Sequence, residues 1–228
     1  MSSAIQRRTP RARTSLREAK KALYREAVLE AAEAAFAGAG YDATKVQTIA
    51  RGAGLSLATL YAVFPRKWDI FRALHQDRLT ELMQTVLPLG AAKADPFDRL
   101  QLGIQAYLTF HMEHPRFLQV QLREGVPWGT TDELRTPEQT RAWEAGLRLM
   151  TQAFEEGMGA GLFVEEDPEL CARTATAMSQ VRLALWVGRG MPESPDDVAV
   201  AAMLQLVRTF AHPDRAAELS GRVRRGNP

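Results

Sequence analysis

The residues best suited to contact chemistry cluster between positions 44 and 67. Thr44, Lys45, Thr59, Tyr61 and Lys67 carry hydroxyl or ammonium groups, which hydrogen-bond phosphate oxygens. Ser56, Leu57, Ala58 and Ala62 have short side chains that could meet base edges or thymine methyls. Arg51 adds another cation. Thr44 is placed to cap a short helix over 45–53, with Val46, Ile49 and Ala50 facing inward. Gly54 permits a left-handed turn. Ser56 can cap a second helix over 57–63, which Pro65 ends. Leu60 would pack with Ile49 and Ala50 to hold the two helices at a steep angle. Two short helices joined by a Gly-containing turn make a helix-turn-helix, and a major groove is wide enough to admit the second. Both helix N-termini would add backbone N–H donors for phosphates. The same pattern is also a common packing unit, so it leaves both readings open.

Charge separates them. The chain has 228 residues, 29 Lys+Arg, 27 Asp+Glu and a net charge of +2. That total hides a partition: residues 1–67 hold 12 basic and 5 acidic side chains, net +7, and residues 68–228 hold 17 and 22, net −5. A basic footprint confined to the contact segment is what phosphate binding needs. Residues 1–21 contribute Arg7, Arg8, Arg11, Arg13, Arg17, Lys20 and Lys21 against Glu18. They read either as a solvated tail or as an arm lying along phosphates or in a minor groove.

The elements that must position these groups are helical. Tyr24, Ala27, Val28, Ala31, Ala32, Ala35 and Phe36 recur at helical spacing over 17–38, before Gly38 and Gly40. Amphipathic stretches follow at 67–87, 96–113, 115–124, 137–158, 168–188 and 196–211. Breakers separate them at 88–90, 115, 125–137, 157–168 and 188–195. No segment alternates at period two. The fold class expected is all-α, about nine helices: a three-helix N-terminal unit and a C-terminal helical domain. The boundaries expected are a basic disordered arm at 1–19, a helix-turn-helix domain at 20–67, a helical domain at 68–215 and a disordered tail at 216–228. The fourth helix would cross the second boundary without a flexible linker.

Composition excludes several classes. The apolar fraction is 46% and the charged fraction 25%, too much apolar content for a wholly disordered chain. One cysteine, Cys171, forms no internal disulfide. No apolar run approaches the roughly 20 residues of a membrane span, and the N-terminus lacks the apolar stretch of a signal peptide. A cytoplasmic location is expected.

The C-terminal domain is less explicit. Leu100, Ile104, Tyr107, Leu108 and His111 form one stripe, Trp143, Leu147, Met150 and Phe154 a second, and Cys171, Ala175, Met178, Arg182 and Trp186 a third. Such stripes are either plain core or the lining of a cavity between helices. The cavity reading selects Tyr107, His111, Trp143, Leu147, Met150, Phe154, Met178, Arg182 and Trp186. Arg182 could meet an acidic ligand, pair across an interface or snorkel from the helix edge. Helix 196–211 is apolar nearly all round and, with the helix before it, makes the natural dimer surface. His111, Glu113 and His114 form too small a cluster for a metal site, and no metal or cofactor is expected. Gly157-Met158-Gly159-Ala160-Gly161 follows a helix and reads as its C-terminus. Cys171 reads as a buried small hydrophobe or a redox sensor.

The stretch from about 20 to 71 resembles the DNA-binding domain of TetR-family (tetracycline-repressor-like) regulators. The resemblance is carried by Val28-Leu29, Ala32 to Phe36, Gly40-Tyr41, Thr44, Val46, Ile49-Ala50, Ala53-Gly54-Leu55-Ser56, Thr59-Leu60-Tyr61, Phe64 and Lys67. Ala58 stands where the family often has Gly, and Ala62 and Val63 where it often has bulkier or polar residues. The resemblance implies an all-helical homodimer, a C-terminal ligand-binding and dimerisation domain, and release of a repressor from a palindromic operator by a small molecule. The expected partners are double-stranded operator DNA, an unidentified small-molecule effector and a second copy of the chain. No membrane and no enzymatic activity are expected. An activator, a DNA-binding protein without a ligand and an enzyme with a helical substrate domain are the competing readings.

Overall fold

The structure, a computed structural model, describes residues 10–92, 95–125 and 136–226. Ten helices run through them: α1 (Pro10–Ala43), α2 (Val46–Gly52), α3 (Leu57–Val63), α4 (Lys67–Ala92), α5 (Pro96–Glu113), α6 (Pro115–Glu124), α7 (Pro137–Gly159), α8 (Pro168–Gly188), α9 (Pro195–Phe210) and α10 (Ala216–Arg225). Contacts divide the chain into two compact units, Met1–Leu74 and His75–Pro228.

In the first unit, α1, α2 and α3 pack on one another around Val28, Ala32, Phe36, Ile49 and Leu60, all buried. The division falls after Leu74 rather than at Lys67 because the first turns of α4 belong to this core. Ile70 and Phe71 are fully buried there, and Phe71 meets Phe36, Tyr41 and Trp68 ring to ring. The helical path of α1 breaks at Gly40 (φ 80°), as the glycines predict. Its start differs from expectation. Residues 1–9 of the expected arm lie outside the described residues, but from Pro10 the chain is already helical.

The second unit has a larger core. Phe97, Leu100, Ile104 and Leu108 of α5 meet Phe154 of α7, Cys171, Ala175 and Leu183 of α8, and Met203 and Leu206 of α9. Most of its helices begin with the same device, a capping side chain followed by proline: Asp95-Pro96, Thr136-Pro137, Asp167-Pro168 and Ser194-Pro195. The cap accepts a backbone N–H of the first turn, and proline occupies a position whose N–H would have had no helical partner. Thr136 and Gln139 complete a reciprocal capping box.

Two expectations are corrected here. Pro88 was expected to end the fourth helix, yet α4 continues to Ala92; so near the helix end, proline forfeits a single backbone bond. The tail expected to be disordered from 216 forms α10. Its Leu219 and Val223 lie one turn apart and are buried, and Arg222 pairs with Asp95 and Asp98 over the Phe97 ring. Basic residues dominate the composition of that segment, but its two apolar residues decide where it goes.

Candidate nucleic-acid interface and cavity

The helix-turn-helix follows from hydrogen bonds at its turn. At the end of α2, Gly54 takes φ 66° and donates to Arg51 O at 3.1 Å, while Leu55 N reaches back to Ala50 O at 2.9 Å. This paired closure satisfies carbonyls the helix would otherwise leave open. One extended residue later, Ser56 caps α3 by accepting from Thr59 N at 3.1 Å, and its hydroxyl lies 2.8 Å from that of Thr59. Leu60 is fully buried between the helices. The outward side of α3 therefore consists of Ser56, Ala58, Tyr61 and Ala62, all exposed, with Leu57, Thr59 and Val63 half-buried beside them. Tyr61 is 43% exposed, which frees its hydroxyl for a partner. Lys45 and Arg51 are exposed on α2 and its approach. So are Gln47 and Thr48, which sequence reasoning passed over. Their only signal was position, on the side of α2 opposite Val46, Ile49 and Ala50.

Two expected phosphate contacts are placed elsewhere. Thr44 is buried, and its hydroxyl donates inward, 2.6 Å from Gly40 O and 3.2 Å from Ala35 O. It does not cap α2, whose N-cap is Lys45 without a side-chain bond. Lys67 sends its ammonium to Tyr41 O at 2.7 Å, Thr44 O at 3.0 Å and Asp42 O at 3.3 Å, above the Tyr41 ring. An ammonium has three protons, and here each has a carbonyl. These carbonyls lie at the end of α1 and just past it, where partial negative charge favours a cation. Both side chains fasten the unit together instead of facing outward.

In the second unit, a cavity of about 220 Å³ lies between helices. Leu79, Leu82 and Met83 line it from α4; Leu100, Ile104, Tyr107 and His111 from α5; Gln121 from α6. Trp143, Leu147 and Met150 of α7, with Thr176 and Gln180 of α8, close the remaining sides. Of the nine residues expected to line a cavity, Tyr107, His111, Trp143, Leu147 and Met150 do so. The other four do not. Phe154 is fully buried in the core, Met178 packs against that core, and Trp186 is buried with its indole N–H on Glu193 O. Arg182 bonds Gln205 of α9, away from the lining. Phe154 falls on the same side of α7 as Leu147 and Met150, and Trp186 on the same side of α8 as Ser179, but each lies past the cavity along its helix, a distinction that a stripe cannot show. Leu79, Leu82 and Met83 were not anticipated, because they lie on a helix assigned to the boundary.

The cavity's polar groups are neutral or balanced. Burial pushes His111 down to about 4, against hydrogen bonds to Tyr107 O and Gln121 that favour its charged form. Burial pushes the Tyr107 hydroxyl up to about 12, opposed by the nearby Gln180 side chain. Arg99, also lining the cavity, pairs with Glu156. Cys171 lies outside the lining; burial raises its thiol to about 11, away from thiolate chemistry. No helix is long and apolar enough to cross a membrane among the described residues.

Residues 28–74 match the family model described as bacterial regulatory proteins, tetR family. The chain is 25% identical over 181 residues to an uncharacterized HTH-type transcriptional regulator, YhgD, of Bacillus subtilis, which spans 78% of this chain and 91% of that protein. It is 29% identical over 135 residues to the HTH-type transcriptional repressor KstR2 of Mycobacterium tuberculosis, 57% of this chain and 66% of the relative. The solved structure of that ketosteroid regulator has a TM-score of 0.70 at 22% identity, over 82% of this chain and 95% of its own. A structure of AibR in complex with isovaleryl coenzyme A and operator DNA has a TM-score of 0.63 at 18% identity, over 77% and 94%. At these identities the structural likeness establishes a shared fold.

Proposed function

We propose that this chain, whose residues 28–74 match the tetR family of bacterial regulatory proteins, is a DNA-binding transcription regulator of that kind, a homodimeric repressor released from a palindromic operator by a small molecule. The observation that carries the reading is the pairing of an exposed α3 face with a neutral cavity in the other unit. Tyr61, Thr59, Lys45 and Arg51 are the phosphate contacts, joined by the exposed Gln47 and Thr48. Ser56, Leu57, Ala58 and Ala62 read base edges and thymine methyls.

Dimerisation is assigned to α8 and α9. Leu170, Val181 and Leu185 of α8 are 52%, 59% and 50% exposed, and Val200 of α9 is exposed as well. Apolar side chains so bared along two adjacent helices suit a self-complementary twofold contact. Repression is supported by the KstR2 relative, whose name states it, and effector binding by the acyl coenzyme A in the AibR structure.

Selection of bound sequences from a random DNA pool tests this reading. The expected product is an inverted repeat whose half-site centres lie about one or two helical turns apart, roughly 34–36 Å per turn. An asymmetric site bound by a monomer would remove the dimeric repressor. Reporter expression that rises with the protein present would replace repression by activation.

A further inference from the structure

We infer that the effector is an uncharged, largely apolar molecule carrying a hydrogen-bond acceptor oxygen, held by the Gln180 amide nitrogen. This rests on the sensor reading above and narrows it to a ligand class. Gln180 Nε2 is buried without a partner, on a side chain that lines the cavity. An orphaned buried donor is costly, and a ligand oxygen would satisfy it. The Tyr107 hydroxyl lies near the same amide but does not complete a hydrogen bond with that nitrogen. Tyr107, Gln121 and Gln180 also border an adjoining cavity of about 90 Å³, so this polar group stands where the two spaces meet.

Charge at this end is unmet. His111 is neutral above about pH 4, and Tyr107 keeps its proton to about 12. A carboxylate or an ammonium would enter without a counter-ion among the described lining residues there, and burying an unpaired charge is strongly disfavoured. Arg99 sits eight residues earlier on α5, about 12 Å along the helix axis. Its charge is matched by Glu156, while its buried Nε has no partner. Both unpartnered polar atoms of the lining are thus donors, and the wall between them is apolar, with Leu100 and Ile104 on α5. A space of about 220 Å³ exceeds the roughly 150 Å³ that holds a benzene ring.

Calorimetric titration of the full chain at pH 7 with four probes of similar shape decides the class: acetophenone, ethylbenzene, benzoate and benzylamine. Acetophenone should bind tightest, roughly tenfold above ethylbenzene for one hydrogen bond to an orphaned donor. Benzoate and benzylamine should bind more weakly than either. Gln180→Leu should bring acetophenone down to the ethylbenzene level, and Tyr107→Phe, which leaves the amide in place, should preserve the preference. Tighter binding of benzoate or benzylamine overturns the ligand class and leaves the sensor reading intact. So does an unchanged ketone preference in Gln180→Leu. Acetophenone that binds with the expected preference yet leaves DNA affinity unaltered supports the ligand class and overturns the sensor reading. Failure of all four to bind overturns both.

Discussion

Single side chains decide which contacts the reading head can make. Lys67 and Thr44 have chemistry suited to phosphate but are used inside the fold, because the end of α1 presents open carbonyls within their reach. Lys67→Met should therefore cost about 1–3 kcal/mol of stability, read by urea denaturation, while the salt dependence of DNA binding keeps its slope. A flattened slope with unchanged stability would return Lys67 to the phosphates. Tyr61 is the contrasting case. Its hydroxyl is exposed, so Tyr61→Phe should leave stability within about 0.5 kcal/mol but weaken binding to all DNA sequences alike, measured by titration at several salt concentrations. His111 gives a pH signature. The unfolded chain protonates it near 6.5, the folded chain only near 4. Between those values the unfolded state holds more protons, so stability falls as pH is lowered through the window, by roughly 3 kcal/mol in all. Urea unfolding at pH 7, 5.5 and 4 checks this, and His111→Gln should flatten that part of the profile.

Helix starts and stops were the most legible features of the sequence. Helix α3 and helix α8 lie where spacing predicts them, because Ser56 and Asp167 are strong caps and Gly54 and Pro168 fix the backbone beside them. What sequence could not show was where along each helix the cavity ends and the core begins. Trp143 and Phe154 lie on one predicted stripe, yet one lines the cavity and the other fills the core. Composition hid α10, where eight polar or small residues around Leu219 and Val223 disguise an amphipathic turn. Leu219→Ala should destabilise the chain by about 2–4 kcal/mol, because the side chain is fully buried; a loss under 0.5 kcal/mol in thermal or urea unfolding would restore the solvated tail. Gly157 makes a sharper demand. A Cβ there would stand 2.4 Å from two ring atoms of Phe163, itself buried. Gly157→Ala should cost roughly 1–3 kcal/mol through overpacking, and unchanged stability would mean that the ring has room to withdraw.

Across the whole molecule, charge and apolar exposure are partitioned. The net +7 of residues 1–67 and −5 of residues 68–228 concentrate attraction for DNA in the segment that carries the helix-turn-helix. Bared leucine and valine on α8 and α9 support the proposal that self-association belongs to the other segment. Leu185→Glu combined with Val181→Glu should yield a folded monomer by sedimentation, with operator affinity reduced at least tenfold because two half-sites no longer act together. A dimer that survives both substitutions would move the interface elsewhere. The paired caps and prolines that open α5, α7, α8 and α9 have a consequence of a different kind. None of those eight residues lines the cavity. The instructions for where each helix begins are thus written in different letters from those that shape the cavity. Under the proposed sensing role, a lineage of such chains exchanges cavity side chains one at a time and acquires response to new compounds, with its helices still starting in the same places.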